Sequence, residues 1–69
     1  MKKKTEREGY IVEFLVVGKA VKATAIDPVS MREVSVVGGT RNSKKELSNL
    51  AVRKLEYVMN RDKDSDGTL

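Results

Sequence analysis

The spacing of the apolar residues changes once along this chain of 69 residues. Apolar side chains recur at every second position over residues 10–37, and at every third or fourth position over residues 47–59. The first period is typical of strands with one buried face, and the second is typical of an amphipathic helix. The sequence therefore predicts an α+β domain in which a three-stranded antiparallel β-meander precedes one C-terminal helix packed on one face (β-β-β-α).

Two turns set the predicted register of the sheet. Gly18 and Lys19 suit a two-residue type II′ hairpin, because glycine accepts the positive φ of the first central position. Asp27 and Pro28 open a second turn, which ends at Met31. If φ is positive at position 31, glycine would adopt that conformation more readily than methionine. Counting outward from both turns places one apolar set on the face beneath the helix: Val12, Phe14, Val16, Val21, Ala23, Ala25, Val34 and Val36.

The opposite face of the predicted sheet also carries apolar side chains, and one helix cannot cover both faces. These residues are Ile11, Leu15, Val17, Ala20, Ile26 and Val37, mixed with polar ones. Large exposed apolar patches usually mark contact surfaces, so Ile11, Leu15, Val17 and Ile26 are a candidate interaction surface. The alternative is that they are scattered residues that favour strands and whose exposure to water is normal for a protein surface.

Ser43 and Glu46 have the spacing of a capping box, which predicts the start of the helix. The stripe predicted to lie on the sheet contains Leu47, Leu50, Ala51, Leu55 and Val58, widened by Val52 and Met59 on one flank and Tyr57 on the other. Lys54 falls inside this apolar arc. Its ordinary interpretation is that its methylenes cover the core while its ammonium reaches water; the functional alternative is a buried base or nucleophile.

The absence of histidine and cysteine excludes Ser-His-Asp and Cys-His catalytic sites and thiolate-zinc sites. Asp62, Asp64 and Asp66 have the spacing that begins a calcium loop, but no glutamate follows at the twelfth position. We therefore expect no enzyme, no cofactor, no metal and no small-molecule substrate.

Composition divides the chain into a disordered basic tail (residues 1–8), one domain (residues 9–61) and a disordered acidic tail (residues 62–69). Domains below roughly 70–80 residues usually need a disulfide, a metal or a partner. Because cysteine and histidine are both absent, disulfides and the commonest metal ligands are missing, and we expect a homo-oligomer, most simply a homodimer, or a protein partner. The missing signal-peptide core and the missing apolar run of ~20 residues predict a cytoplasmic protein with no membrane segment.

The formal net charge of +4 is concentrated around the predicted helix. Arg41, Lys44, Lys45 and Arg53 are candidate anion-binding or nucleic-acid-binding residues, because free amides and the positive end of a helix dipole attract phosphate. Solubility explains the same charges without any ligand.

The stretch GYIVEFLVVGKAVKATAIDPVSMREVSVVGG, followed by LAVRKLEYVM, resembles a family of small bacterial proteins of unknown function. The shared pattern is V-G-x-x-V-K-x-x-A-I-D-P-x-x-x-x-E-V-S-x-V-G before a helix that ends in R-K-L-E-Y-V. This resemblance covers most of residues 9–61 and implies no activity.

The chain also resembles, more loosely, the C-terminal half of double-stranded-RNA-binding domains. Gly38, Gly39, the run Ser43-Lys44-Lys45 and Ala51 occupy comparable places, and the resemblance implies that Lys44 and Lys45 contact phosphates. The helix and first-loop pattern that complete such a domain are absent. We therefore predict a non-enzymatic module that self-associates through the outer sheet face, with RNA or polyanion binding at the helix start as the alternative.

Overall fold

An antiparallel sheet covered on one face by a helix makes up the described part of the molecule. The computed structural model describes the backbone of residues 2–7 and 9–68 and the side chains of residues 9–61. Within these residues the elements are β1 (Lys2–Arg7), β2 (Tyr10–Val17), β3 (Ala20–Ile26), β4 (Glu33–Gly39) and α1 (Lys44–Thr68). The strands form one sheet in the order β1-β2-β3-β4. The predicted β-β-β-α arrangement is confirmed as β2, β3, β4 and α1.

Two segments that the sequence predicted as tails have regular backbone structure. β1 pairs antiparallel with β2, with Lys3 opposite Phe14, and so adds a fourth strand at the edge of the sheet. Strand pairing uses backbone groups, which apolar periodicity does not report. At the other end, α1 continues beyond residue 61 to Thr68. Residues 1, 8 and 69 lie outside the described residues.

The predicted register of β2, β3 and β4 is confirmed pair by pair. Phe14 lies opposite Ala23, and Ala25 lies opposite Val34. Gly18 has a φ of 60° while Lys19 does not have a positive φ, which is the combination of a type II′ turn. Because this turn twists in the sense of the flanking strands, it holds the apolar side chains of β2 and β3 on one face.

Asp27 organises the loop between β3 and β4. Its N–H donates to the Arg32 carbonyl at 2.9 Å, and its own carbonyl accepts from the Met31 N–H at 2.7 Å. Its carboxylate accepts from the Val29 N–H and from the Ser30 hydroxyl, each at 3.0 Å. Met31 has a φ of 64°, in the left-handed region that costs an L-residue about 1–2 kcal/mol. The hydrogen bonds of Asp27 hold the loop in this strained shape.

The buried core lies between α1 and the inner face of the sheet, the face turned toward α1. Its members are Val12, Phe14, Val21, Ala23, Ala25, Leu47, Ala51, Val52 and Leu55. The small side chains of Ala23 and Ala25 let α1 come close to β3. Gly38 extends this close approach to β4, because a Cβ placed there would lie 2.6 Å from Cδ2 of Leu47.

The helix presents a different flank to the sheet from the predicted one. Leu50, predicted in the buried stripe, is 49% exposed, whereas Val52, predicted at the margin, is buried together with Ser48. These exposures correspond to a rotation of α1 by roughly 50°, at ~100° per residue.

The cause of this rotation is the lateral position of α1 on the sheet. The helix packs chiefly on β3 and on the edge strand β4, and less on β2. The Leu50 flank therefore overhangs the β4 edge, while the Val52 flank faces β2, where the Tyr10 hydroxyl donates to the Glu56 carboxylate at 3.5 Å. The prediction that Val16 lies beneath the helix is also corrected. Val16 is on the inner face, opposite Val21, but it is 45% exposed because α1 leaves that end of β2 uncovered.

Candidate interaction surface

The outer face of the sheet, turned away from α1, is built from cross-strand rows. Directly opposite residues of an antiparallel pair contact each other, so the register defines the rows. Across β2, β3 and β4 these rows are Ile11–Ile26–Glu33, Glu13–Thr24–Ser35, Leu15–Lys22–Val37 and Val17–Ala20–Gly39. Apolar groups therefore occupy both ends of the face, and a polar row separates them.

The candidate surface residues fall into two groups. Leu15 and Val17 are 40% and 62% exposed at the hairpin end of β2, and Val37 of β4, 70% exposed, lies in the same region. Ile11 and Ile26 lie opposite each other at the other end and are half-buried. The exposed group is thus the stronger contact candidate. The sequence placed Val37 on this face but not among the candidates, because alternation reports the face and not the exposure.

The polar middle of the outer face forms a shallow depression of about 170 Å³, lined by Glu13, Phe14, Leu15, Lys22, Thr24 and Glu33. Oγ1 of Thr24 and Oγ of Ser35 are 2.8 Å apart and share a hydrogen bond beside it. Pockets for small molecules usually enclose ~300–1,000 Å³ and are mostly apolar. This depression is smaller and is lined with charged groups, so it lacks the character of a small-molecule pocket.

The start of α1 is occupied by its own capping box, as predicted. The Glu46 N–H donates to Oγ of Ser43 at 3.0 Å, and the Ser43 N–H donates to Oε1 of Glu46 at 2.9 Å. These bonds satisfy two donors that a bound phosphate would otherwise use. The Glu46 carboxylate also complements the positive end of the helix dipole.

The four candidate anion-binding residues, Arg41, Lys44, Lys45 and Arg53, are all exposed. Lys45 and Arg53 differ by ~80° around the helix and by ~12 Å along its axis. The structure therefore spreads these cations along the helix and its preceding loop and does not gather them into one pocket.

The ammonium group of Lys54 reaches the edge of the sheet. Its Nζ donates to the backbone carbonyl of Ser35 at 3.2 Å, and the side chain is exposed. This position fits the ordinary interpretation, in which the methylenes cover apolar surface and the charge stays in water. The partner, a carbonyl of β4, was not foreseen from the sequence.

The described part of the chain holds no cluster of three His, Cys, Asp or Glu side chains able to hold a metal. Asp62, Asp64 and Asp66 lie outside the described side chains. Within the residues described, α1 is not apolar enough over a sufficient length to cross a bilayer.

Comparison with known proteins gives one match. The family model described as "Domain of unknown function (DUF6898)" matches residues 7–62, which include β2, β3, β4 and most of α1. No curated protein and no solved structure matches the chain.

Proposed function

Since the chain belongs to the DUF6898 family, whose description assigns no activity, we propose a function from its surfaces: a small non-enzymatic module that self-associates through the outer face of the sheet. The observation that carries this proposal is the exposed group of Leu15, Val17 and Val37 on the face opposite α1. Among the described residues, no helix or loop covers that face. Exposed apolar groups rimmed by polar residues are typical of protein contact surfaces.

The size of the exposed group sets the expected affinity. Burying the accessible parts of these three side chains on both copies contributes about 7 kcal/mol, using ~1.5–3 kcal/mol for each fully buried aliphatic side chain. Association itself costs ~4–15 kcal/mol. The flat area of a sheet face with four strands of six to eight residues is about 450 Å², and a stable complex buries ~800 Å² of accessible surface per partner. We therefore expect a weak, concentration-dependent homodimer.

Charges on the outer face favour a second copy as the partner. Lys22 lies in the apolar row between Leu15 and Val37, and Glu13 belongs to the neighbouring row. A two-fold arrangement sets each copy's surface against itself. Such a dimer brings Lys22 and Glu13 of both copies into one surface of mixed charge, in which opposite charges of the two copies lie near each other.

The direct test is sedimentation of the unmodified chain and of Leu15→Glu over a concentration series. Lys22 lies directly opposite Leu15, so a glutamate there gains a cross-strand ion pair and the fold persists. We expect the unmodified chain to approach twice its mass of 7.7 kDa at high concentration, and Leu15→Glu to stay monomeric. Leu50→Glu is the matched control, because Leu50 is similarly exposed but lies on α1. A monomeric unmodified chain at millimolar concentration would refute the proposal.

Binding of RNA or another polyanion is the second candidate, favoured by the exposure of Arg41, Lys44, Lys45 and Arg53. Such binding would depend steeply on salt, because each phosphate contact releases counterions. The capping box and the spread of the four cations give it less structural support than the apolar group gives self-association.

A further inference from the structure

Among the described residues, β4 is the free edge of the sheet on the side away from β1, and its register shows which of its backbone groups point outward. The Asp27 N–H donates to the Arg32 carbonyl, so Asp27 and Arg32 form a hydrogen-bonded pair. Hydrogen-bonded and non-hydrogen-bonded pairs alternate along an antiparallel ladder. Thr24 and Ser35 lie three pairs further along, so theirs is a non-hydrogen-bonded pair. The N–H and C=O of Ser35 therefore point away from β3, toward the free edge.

Lys54 lies over this edge. Its Nζ donates to the outward carbonyl of Ser35 at 3.2 Å, on the flank of α1 that overhangs β4. Free strand edges are templates for pairing with other chains, and natural proteins often protect them with lysine. We infer that Lys54 is an edge guard, which keeps β4 from pairing with β4 of a second copy.

Two physical effects oppose such pairing while Lys54 is present. An incoming strand needs the Ser35 carbonyl as an acceptor, so it must share that oxygen with the ammonium or displace it. Either way it takes the ammonium partly out of water, which is costly for a charge without a counter-ion. An antiparallel β4–β4 pair related by a two-fold axis through Ser35 also brings the two copies of Lys54 together. Like charges facing each other across an interface disfavour that complex.

This inference rests on the proposed function only because it takes self-association as normal for the protein. It adds that the β4 edge is not used as an interface between copies. If the outer face forms dimers and the β4 edge is also open, each copy has two interfaces. Such copies assemble into open chains instead of closed dimers. The guard on β4 therefore limits assembly to the outer face.

The test removes the outer face first, by using Leu15→Glu as the background. Lys54→Met is then added, which keeps a long apolar side chain and removes the charge. Lys54→Arg, which keeps a charged donor, and Lys45→Met, which removes an exposed lysine elsewhere on the same helix, are the controls. Sedimentation gives the mass, and amide hydrogen exchange reports the edge, because the N–H groups of Ser35 and Val37 point outward.

We expect Lys54→Met to reach about twice the monomer mass, with exchange at the Ser35 and Val37 amides slowed about fivefold to tenfold, the value of one net hydrogen bond. Both controls stay monomeric. A monomeric Lys54→Met, a dimer with unchanged exchange at these amides, or equal association of Lys45→Met would each overturn the inference. Lys54→Ala must give the same mass and the same slowing of amide exchange as Lys54→Met. If the unmodified chain is monomeric while the doubly substituted chain pairs through β4, the proposed function fails and the edge guard stands.

Discussion

Gly38→Ala tests the packing of α1 against β4. The new Cβ would lie 2.6 Å from Cδ2 of Leu47 and 2.7 Å from Oδ1 of Asn42. Leu47 is 2% exposed and packed in the core, so it cannot move without displacing its neighbours, and overpacking of this kind costs ~1–3 kcal/mol. Asn42 accepts a hydrogen bond from the Gly39 N–H at 3.0 Å, and its loss adds ~0.5–1.5 kcal/mol.

A smaller effect opposes these two. Replacing glycine by alanine restricts the unfolded chain and stabilises the fold by ~0.4–1 kcal/mol where the backbone is compatible, as it is at Gly38, whose φ is not positive. We therefore expect Gly38→Ala to lower the free energy of unfolding by about 2 kcal/mol. For a domain of this size the midpoint of thermal unfolding then falls by ~8–16 °C.

Gly39→Ala is the matched control for this change. A Cβ at Gly39 meets nothing within 4 Å, so the entropic gain alone applies and the stability should be unchanged or slightly higher. Urea unfolding followed by circular dichroism, at one fixed protein concentration, measures both variants. If Gly38→Ala is as stable as Gly39→Ala, the claim that β4 packs too closely on Leu47 to admit a Cβ at position 38 is refuted.

Three further predictions concern single features of the chain. Met31→Gly should raise the free energy of unfolding by about 0.5–1 kcal/mol in urea titration, since glycine accepts the left-handed φ; Val29→Gly, where φ is not positive, should give no gain. Ser43→Ala should cost about 1 kcal/mol in the same assay by removing the cap of α1, and a neutral result would contradict the capping box. Lys44→Ala with Lys45→Ala should weaken any binding of duplex RNA and flatten its salt dependence; an unchanged NMR spectrum of the parent chain on RNA titration at low salt dismisses that alternative.

The candidate surface could be predicted in part. Alternation along β2 and β3 assigned Leu15, Val17 and Ile26 to the outer face, because a strand turns successive side chains to opposite sides. The difference between the exposed pair Leu15 and Val17 and the half-buried Ile26 depends on neighbours in other strands. The sequence placed Lys54 inside the apolar arc of the helix, but it did not indicate the contact with the Ser35 carbonyl, because that contact depends on where α1 lies across the sheet.

The sequence by itself determined the register of β2, β3 and β4 and the start of α1. The type II′ turn at Gly18, the hydrogen bonds of Asp27 and the capping box of Ser43 and Glu46 join residues close in the chain, so local chemistry specifies them. Only the tertiary structure decided which flank of α1 is buried, which places Leu50 and Lys54 over the β4 edge. The buried flank depends on the lateral position of α1 on the sheet, which all the strands determine together. The tertiary structure also decided the pairing of β1 with β2, because backbone groups can bind a neighbouring strand without any particular pattern of side chains.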